Sequence, residues 1–381
     1  MIFNLDYRRM LLLTEGHLGV FSSKTAVSVL RYRPDDVVGI LDSAHAGKPL
    51  GEIVPGVKDV PIVGSVADAA ALRPDAILVG IAPTGGALPP VMRQHLVDGL
   101  RRGLSIISGL HTLLKEDAGL AGLAREHGAQ LHDLRDFAHI TRIGRGLARG
   151  TRARRVLLVG TDCNVGKMVT ALELRNAARA AGVDAAFVAT GQTGIMIEGW
   201  GIAIDHVLSD FVAGAVEMLV ERAADRPLMF IEGQGSLEHP AYSGVTLSLL
   251  HGSCPDAMVM VHRPSREHHN SWPDCPIAPV EQQIDLYERM LAPLHPGKVV
   301  AIAVNTAGME PADADVLVVV GGDGFLLHTL HEMLAWDRVT PCYGLNLGTV
   351  GFLMNSNQPD KSIIERVTEA HRVSVRPLEM N

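Results

Sequence analysis

Short apolar runs, each closed by turn residues and separated by helix-like stretches, set the rhythm of residues 1–140. Val37-Val-Gly-Ile-Leu41, Ala76-Ile-Leu-Val-Gly80 and Leu104-Ser-Ile-Ile-Ser108 are too short and too continuous to be amphipathic helices. Runs of this kind read as buried strands. Pro90 to Gly103, lying between two of them, reads as a helix. Alternation of strands and helices predicts an open parallel sheet with helices on both faces, a Rossmann-like α/β domain. Ligands in such folds bind at the carboxyl ends of the strands. The candidate loops are Ser22-Ser23-Lys24-Thr25, Asp42-Ser43, Ala82-Pro83-Thr84-Gly85-Gly86 and Ser108-Gly109-Leu110-His111. Gly16 to Thr25 has the outline of a phosphate loop but lacks a glycine before its lysine, so it is not counted as one.

The same alternation continues from 156 to 309 and defines a second domain. Val156 to Val159 reads as a buried strand, Gly160 to Lys167 as a glycine loop, and Val169 to Ala181 as a helix. Strand, glycine loop and helix in that order form a phosphate-binding loop. The glycines let backbone N–H groups close on an anion, and the helix N-terminus adds favourable partial charge. Gly160, Thr161, Asp162, Cys163, Gly166, Lys167 and Met168 are therefore the expected cofactor-binding residues. Lys167 is expected to be exposed in the empty site and to reach the phosphate as a point charge. Five residues separate the two glycines here, one more than usual. Met168 stands where a serine or threonine ordinarily holds magnesium, and Thr170 points elsewhere on the helix. A thioether does not suit a hard cation, so no metal ligand is assigned. Cys163 lies near a helix N-terminus, where a thiolate would be stabilised. A small packed side chain is the expected role.

Further along, Ala186 to Gly194 reads as a strand entering a polar loop that offers Gln192 and Thr193. Pro227 to Ser236 reads as a buried strand ending in Glu232. An acid at that place in a phosphate-loop fold commonly organises metal or water. Glu232 is the candidate general base, with His239 and His251 as alternatives, and Gly233, Gln234 and Gly235 are expected to line the cofactor. Asp205 and Asp210 are expected to cap helices. His262, Glu267, His268 and His269 cluster in sequence but lack zinc spacing. Residues 141–155 hold six arginines and three glycines and are expected to be a solvated basic connector between the domains.

Composition narrows the function. With 47% apolar and 20% charged residues in 381, the chain is globular and long enough for two or three domains. Net charge is −8 and the pI about 6.1, which argues against a general nucleic-acid binder. Cys163, Cys254, Cys275 and Cys342 form no close pair and no zinc spacing, which suits a reducing cytoplasm. Leu11-Leu12-Leu13 is too short an apolar core for a signal peptide, and no run approaches the ~20 apolar residues of a membrane span. The expectation is a cytoplasmic homo-oligomer acting on a small molecule, with no nucleic acid and no membrane as partner.

Longer motifs carry a resemblance. Ser23-Lys-Thr25, Gly80-Ile-Ala-Pro83, Ser108-Gly-Leu-His111, Val159 to Met168, Ala189-Thr-Gly-Gln-Thr-Gly194, Glu232 to Gly244 and Leu249-Leu-His-Gly252 resemble a P-loop family first described as a domain of unknown function. Some of its members are D-glutamate N-acetyltransferases of the DgcN type. The resemblance spans residues from about 10 to 308, and both the longer loop and Met168 look usual for that family. It implies acetyl-CoA as donor and an acidic D-amino acid as acceptor. Gly19 to Lys24 and Leu41-Asp-Ser43 look like a different branch from the glutamate enzymes. The Gly-Thr-Asp opening of the loop is also similar to dethiobiotin synthetase, which leaves ATP with magnesium open as the ligand. A noncatalytic nucleotide-binding protein is a further alternative.

From about Glu310 the sequence changes character. Ala314 to Leu330 reads as strand, Gly321-Gly322-Asp323-Gly324 turn and helix. With Tyr343 to Asn355 it resembles the first domain of NAD kinases. That resemblance implies a phosphate-holding turn of Gly321, Gly322 and Gly324, Asp323 as a catalytic carboxylate, and NAD as ligand. Leu347 replaces the family's usual arginine, and the kinase's second domain has no counterpart. Residues 310–381 therefore read as a partial kinase-like α/β segment fused to the transferase, with Val299 to Val304 a stand-in for the kinase's first strand.

Overall fold

A computed structural model describes residues 3–81, 88–305, 307, 317–321 and 342–346. The chain divides into two compact units, Met1–Thr151 with Ala186–Arg226, and Arg152–Ala185 with Pro227–Asn381. The division differs from the expected 1–140 and 156–309, because residues 186–226 count with the first unit.

In the first unit the elements run β1 (Phe3–Asn4), β2 (Met10–Leu13), α1 (Lys24–Tyr32), β3 (Val37–Leu41), β4 (Ile62–Val63), β5 (Ala76–Val79), α2 (Pro90–Leu100), β6 (Ser105–Ser108), α3 (Ala118–Glu126) and β7 (Leu131–Asp133). The expected strands and the helix from Pro90 are all present. A six-stranded sheet has the order β4-β3-β2-β5-β6-β7, and every pairing within it is parallel. Met10, Leu11, Leu12 and Leu13 are all fully buried, as are Ala76, Ile77, Leu78 and Val79. Burial on both faces is why these strands are continuous apolar runs rather than alternating ones. One face packs Leu11, Leu13, Ile77, Val79 and Ile106 against Met92, Leu96 and Leu100 of α2. The chain order reverses between β2 and β5, which opens a crevice at their carboxyl ends.

The chain continues with β8 (Arg154–Gly160), α4 (Lys167–Ala180), β9 (Ala185–Val188), α5 (Gln192–Glu198), β10 (Trp200–Gly201), α6 (Val212–Arg222), β11 (Leu228–Ile231), α7 (Ser243–Ser253), β12 (Ala257–His262), β13 (His268–His269), β14 (Trp272–Pro276), α8 (Val280–Leu291) and β15 (Lys298–Val304). A five-stranded sheet has the order β15-β12-β8-β11-β9. The β15–β12, β12–β8 and β8–β11 pairings are parallel. Parallel pairing sends the loops after β8, β11, β12 and β15 out of one edge of the sheet. α4 packs on β8 and β11, α7 on β8, and α8 on β15. Finally β16 (Leu317–Gly321) and β17 (Cys342–Asn346) pair in parallel as a separate ribbon.

The structure corrects two expectations. Residues 141–155 are only in part the solvated connector expected: Arg145, Arg149, Arg152 and Arg154 are exposed, but other groups of the stretch are held by the domains on either side. Glu217 of α6, fully buried, accepts backbone N–H bonds from Arg145 at 2.8 Å and Leu147 at 3.0 Å. Arg142 forms an ion pair with Glu221 one turn further along α6. Arg155 is 2% exposed and belongs to β8, with its Nε donating to the Cys254 carbonyl at 2.9 Å and Nη2 to Asp256 at 3.0 Å. Arginine pays its desolvation here by satisfying buried acceptors, a role composition cannot reveal. Val299 to Val304, the expected stand-in for the kinase's first strand, lies in β15 and pairs with β12; among the described residues it is not hydrogen-bonded to β16 or β17.

Arg155 thus staples β8 to the turn before β12. Arg155→Met keeps the volume but removes the guanidinium donors to the Cys254 carbonyl and the Asp256 carboxylate. Urea denaturation should show a loss of about 3 kcal/mol in unfolding free energy.

Candidate active site

At Gly160, the end of β8, the chain turns through residues 161–166 and enters α4 at Lys167. Asn164 at φ +55° and Gly166 at φ +118° make the turn. The first suits asparagine and the second only glycine. The first-turn amides of α4 have no intrahelical acceptor and are available to an anion.

Neighbouring loops fix this cradle from several sides. Asn305, after β15, donates from Nδ2 to the Val165 carbonyl at 2.7 Å. Tyr287 of α8, fully buried, donates to the Gly160 carbonyl at 3.0 Å and accepts the Leu237 N–H at 3.2 Å. It therefore joins the glycine loop to the loop after β11. Ser236 donates to the Thr161 carbonyl at 3.3 Å, and the Thr161 hydroxyl meets His262 Nδ1 at 3.1 Å.

Asp162 is the centre of the arrangement. Its fully buried carboxylate accepts Arg266 Nη1 at 2.7 Å, the Asn270 N–H at 2.9 Å and His269 Nδ1 at 3.2 Å. Burial pushes its carboxyl upward, but these hydrogen bonds prevail and hold it below the usual range. Arg266 also donates to the Cys163 carbonyl at 2.6 Å. Burial and the Asp162 charge push the Cys163 thiol up, so a stabilised thiolate is not what this helix N-terminus provides.

Lys167 is buried, at 6% exposure, which corrects the expectation of an exposed side chain. Its Nζ donates to the Asp162 carbonyl at 2.7 Å. Burial drives its pKa down to about 8, against the charges of Asp162 and Glu232, which favour the ammonium. Glu232, 4% exposed, follows β11 directly. A Cβ on Gly233 would lie 1.6 Å from the Leu158 carbonyl oxygen and 3.0 Å from Lys167 Cδ. Glycine there lets the chain lie against β8, which keeps Glu232 beside the lysine.

The alternative bases fare differently. His239 is fully buried, and its Nδ1 accepts the Ala241 N–H at 3.1 Å while its Nε2 faces the Asn270 carbonyl at 3.1 Å. An amide only donates, so the neutral ring carries its proton on Nε2 and keeps no free lone pair. His239 is built to hold loops together. His251 lies in the last turn of α7, bonded to the Met290 carbonyl at 3.0 Å. That turn precedes β12 and so lies at the opposite edge of the sheet from the glycine loop. Asp162, Cys163 and His239 bring potential metal ligands within 4.8 Å of one another. The Asp162 and His239 acceptors are spent on the bonds just given, so the group is a hydrogen-bond network. Magnesium also fits poorly: Met168 offers a thioether, and the Thr170 hydroxyl donates to the Gly166 carbonyl at 3.1 Å.

Gln234 gives its carbonyl to Thr246 at 2.7 Å, in the loop after Glu232. Gln192 and Thr193 belong to the first unit, at the start of α5. There Gln192 accepts Arg135 Nη2 at 3.0 Å and Thr193 shares a hydrogen bond with Thr25 at 3.2 Å. Asp205 does not cap a helix by its side chain but pairs with Arg135 at 2.9 Å, and Asp210 makes no side-chain cap either. His111 of the Ser108 loop meets His206 at 2.9 Å. Asp42, fully buried, accepts the Gly16 and Leu18 N–H groups at 3.0 and 3.2 Å and Thr14 Oγ1 at 2.9 Å. An internal carboxylate thus takes the amides that gave Gly16 to Thr25 the outline of a phosphate loop. The loop from Ala82 to Gly86, and Gly322, Asp323 and Gly324, lie outside the described residues; Gly321 ends β16.

Sequence reading missed Arg266, His269, Asn270, Tyr287 and Asn305 as parts of this site. A signal was available for the first three. The polar stretch from His262 to Asn270 follows a strand-like apolar run, and such loops open on the edge that carries the glycine loop.

The lowered Asp162 pKa makes stability depend on acid. The carboxylate's contribution is present above its unfolded pKa and is lost as pH falls through the lower folded one. Urea melts across the acid range should therefore show a steeper loss of stability in the unaltered protein than in Asp162→Asn.

Known proteins agree with this architecture. The DUF1611_N Rossmann-like domain matches residues 43–137, and the DUF1611_C P-loop domain, a domain of unknown function, matches residues 142–329. A D-glutamate N-acetyltransferase from Tritonibacter scottomollicae is 37% identical over 296 residues, 77% of this chain and 86% of the relative. The crystal structure of a DUF1611 family protein from Anabaena variabilis superposes with a TM-score of 0.75 at 38% identity, covering 88% of this chain and 94% of that one. A NAD kinase from Rhizorhabdus wittichii is 52% identical over 69 residues, 18% of this chain and 26% of the kinase. The two α/β domains and the family resemblance expected from sequence are borne out, while the kinase likeness spans about a quarter of that enzyme. The chain belongs to the DUF1611 family, with its Rossmann-like domain followed by its P-loop domain.

Proposed function

We propose that the protein is an N-acetyltransferase that moves acetyl from acetyl-CoA to the amino group of D-glutamate or a related acidic amine. The observation that carries this reading is the match to a relative named D-glutamate N-acetyltransferase over 77% of this chain and 86% of that relative's length. The donor set supports it. Amides of the glycine loop beyond Thr161, whose own N–H is spent on the Val261 carbonyl, the first turn of α4, and Lys167 suit the diphosphate of CoA, and Arg266 adds a second cation close by. None of these groups requires a metal ion. ATP with magnesium is the less favoured ligand, because Met168 and Thr170 offer the ion no free hydroxyl.

When bound, acetyl-CoA supplies an acetyl thioester. The acceptor's ammonium first releases one proton to solvent. As the nitrogen bonds to the thioester carbonyl carbon, Glu232 takes a second proton from it. The carbon–sulfur bond breaks and the sulfur leaves as a thiolate, which receives the proton held by Glu232. The products are the N-acetyl amino acid and free CoA. Proton transfer by a positioned base contributes roughly a hundredfold to ten-thousandfold. Glu232→Gln should lower kcat by about that factor with less than a few-fold change in acetyl-CoA affinity. A mild kcat effect would remove Glu232 as the base.

Lys167 gives a second test. An anion binds the ammonium form, and burial holds the empty-site pKa near 8. Affinity for acetyl-CoA should therefore fall as pH rises through about 8, with proton uptake visible in calorimetry in buffers of different ionisation enthalpy. Lys167→Ala should abolish both the affinity and its pH dependence. EDTA should leave acetyl-CoA binding unchanged; a strict magnesium requirement would favour ATP instead.

A further inference from the structure

The hairpin of β13 and β14 grows from the loop after β12; His269 and Asn270 hold Asp162, while Trp272 has no part in that network. Its turn is Asn270-Ser271, and Ser271 sits at φ +65°, a conformation side chains other than glycine, asparagine and aspartate seldom adopt. The turn is fastened to the glycine loop by the Asn270 N–H on Asp162 at 2.9 Å. His269 and Trp272 are directly paired across the hairpin. Directly paired residues of antiparallel strands project from the same face. His269, 3% exposed, points from that face to Asp162. The indole of Trp272 therefore stands on the loop-facing side of the hairpin, yet it remains 45% exposed. A large apolar ring, carried beside an anion cradle by a turn that is bonded to it and left partly open to water, is suited to a flat ligand group that arrives with a phosphate.

We propose that Trp272 is the stacking platform for the adenine ring of the nucleotide whose phosphates occupy the glycine loop. The inference rests on the reading of that loop as a phosphate site, and adenine is the chemistry that CoA and ATP share. Arg266, Asp162 and Asn270 fasten the platform to the cradle, so ring and phosphate are read by one connected unit. Stacking of a base on an aromatic side chain is sequence-tolerant because it uses only the ring face.

The test titrates CoA, ATP with magnesium, and inorganic pyrophosphate, following intrinsic tryptophan emission and calorimetry. Emission should be quenched by whichever adenine ligand binds and unchanged by pyrophosphate. Trp272→Ala should abolish the quench, weaken the adenine ligand by about tenfold or more, and leave pyrophosphate affinity unaltered. Trp272→Phe should restore most of the affinity without the quench. Equal affinity of the adenine ligand for the unaltered protein and Trp272→Ala would overturn the platform while leaving the phosphate site standing. Failure of the unaltered protein to bind pyrophosphate, CoA or ATP would overturn both. The CoA and ATP titrations identify which nucleotide supplies the ring.

Discussion

A phosphate cradle gathers inward-facing amides and a buried cation in one dry place, and such a site must be balanced before its ligand arrives. Here the balance is local. The Asp162 carboxylate sits within the loop itself, and Lys167 reaches back to the carbonyl of that residue. The same carboxylate holds Arg266, His269 and Asn270. One ionised group thus holds the glycine loop and ties to it the loop and hairpin that follow β12. Its lowered pKa is the electrostatic signature of that work, since three donors outweigh the desolvation of a fully buried acid.

From this constraint the rest of the P-loop edge follows. Tyr287 and Ser236 join the loop after β11 to the glycine loop, and Asn305 supports its far side. His239, with both ring nitrogens engaged, joins that loop to Asn270. Glu232 is held beside a lysine whose charge is only weakly held. A cation with a pKa near 8 is readily recharged by an incoming anion, so ligand binding and protonation are coupled.

Legibility in the sequence varied with the range of the interaction. Strands such as Ala76–Val79 and the Val156–Val159 core of β8 were plain, because a buried strand writes itself as a continuous apolar run. The glycine loop was plain because its conformation is set by a few neighbouring residues. Arg155 was misread as part of a solvated basic stretch: its acceptors, Cys254 and Asp256, lie about a hundred residues away. Residues 142–147 were misread for the same reason, since Glu217 and Glu221 of α6 neutralise and anchor them. Lys167 was expected in solvent because nothing in the sequence reports how closely Gly233 lets the chain after β11 approach it.

By itself the sequence determined two α/β domains, the place of the phosphate loop, its lack of a magnesium hydroxyl, and the acid after β11. These depend on periodicity and on residues adjacent in the chain. Only the tertiary structure decided that both ring nitrogens of His239 are engaged, that Asp162 serves Arg266 and the hairpin, and that Tyr287 and Asn305 hold the cradle. Those roles depend on the order of strands in a parallel sheet, β15-β12-β8-β11, which brings loops far apart in sequence to one edge. Strand order is fixed by how whole faces pack, and no short window of residues encodes it.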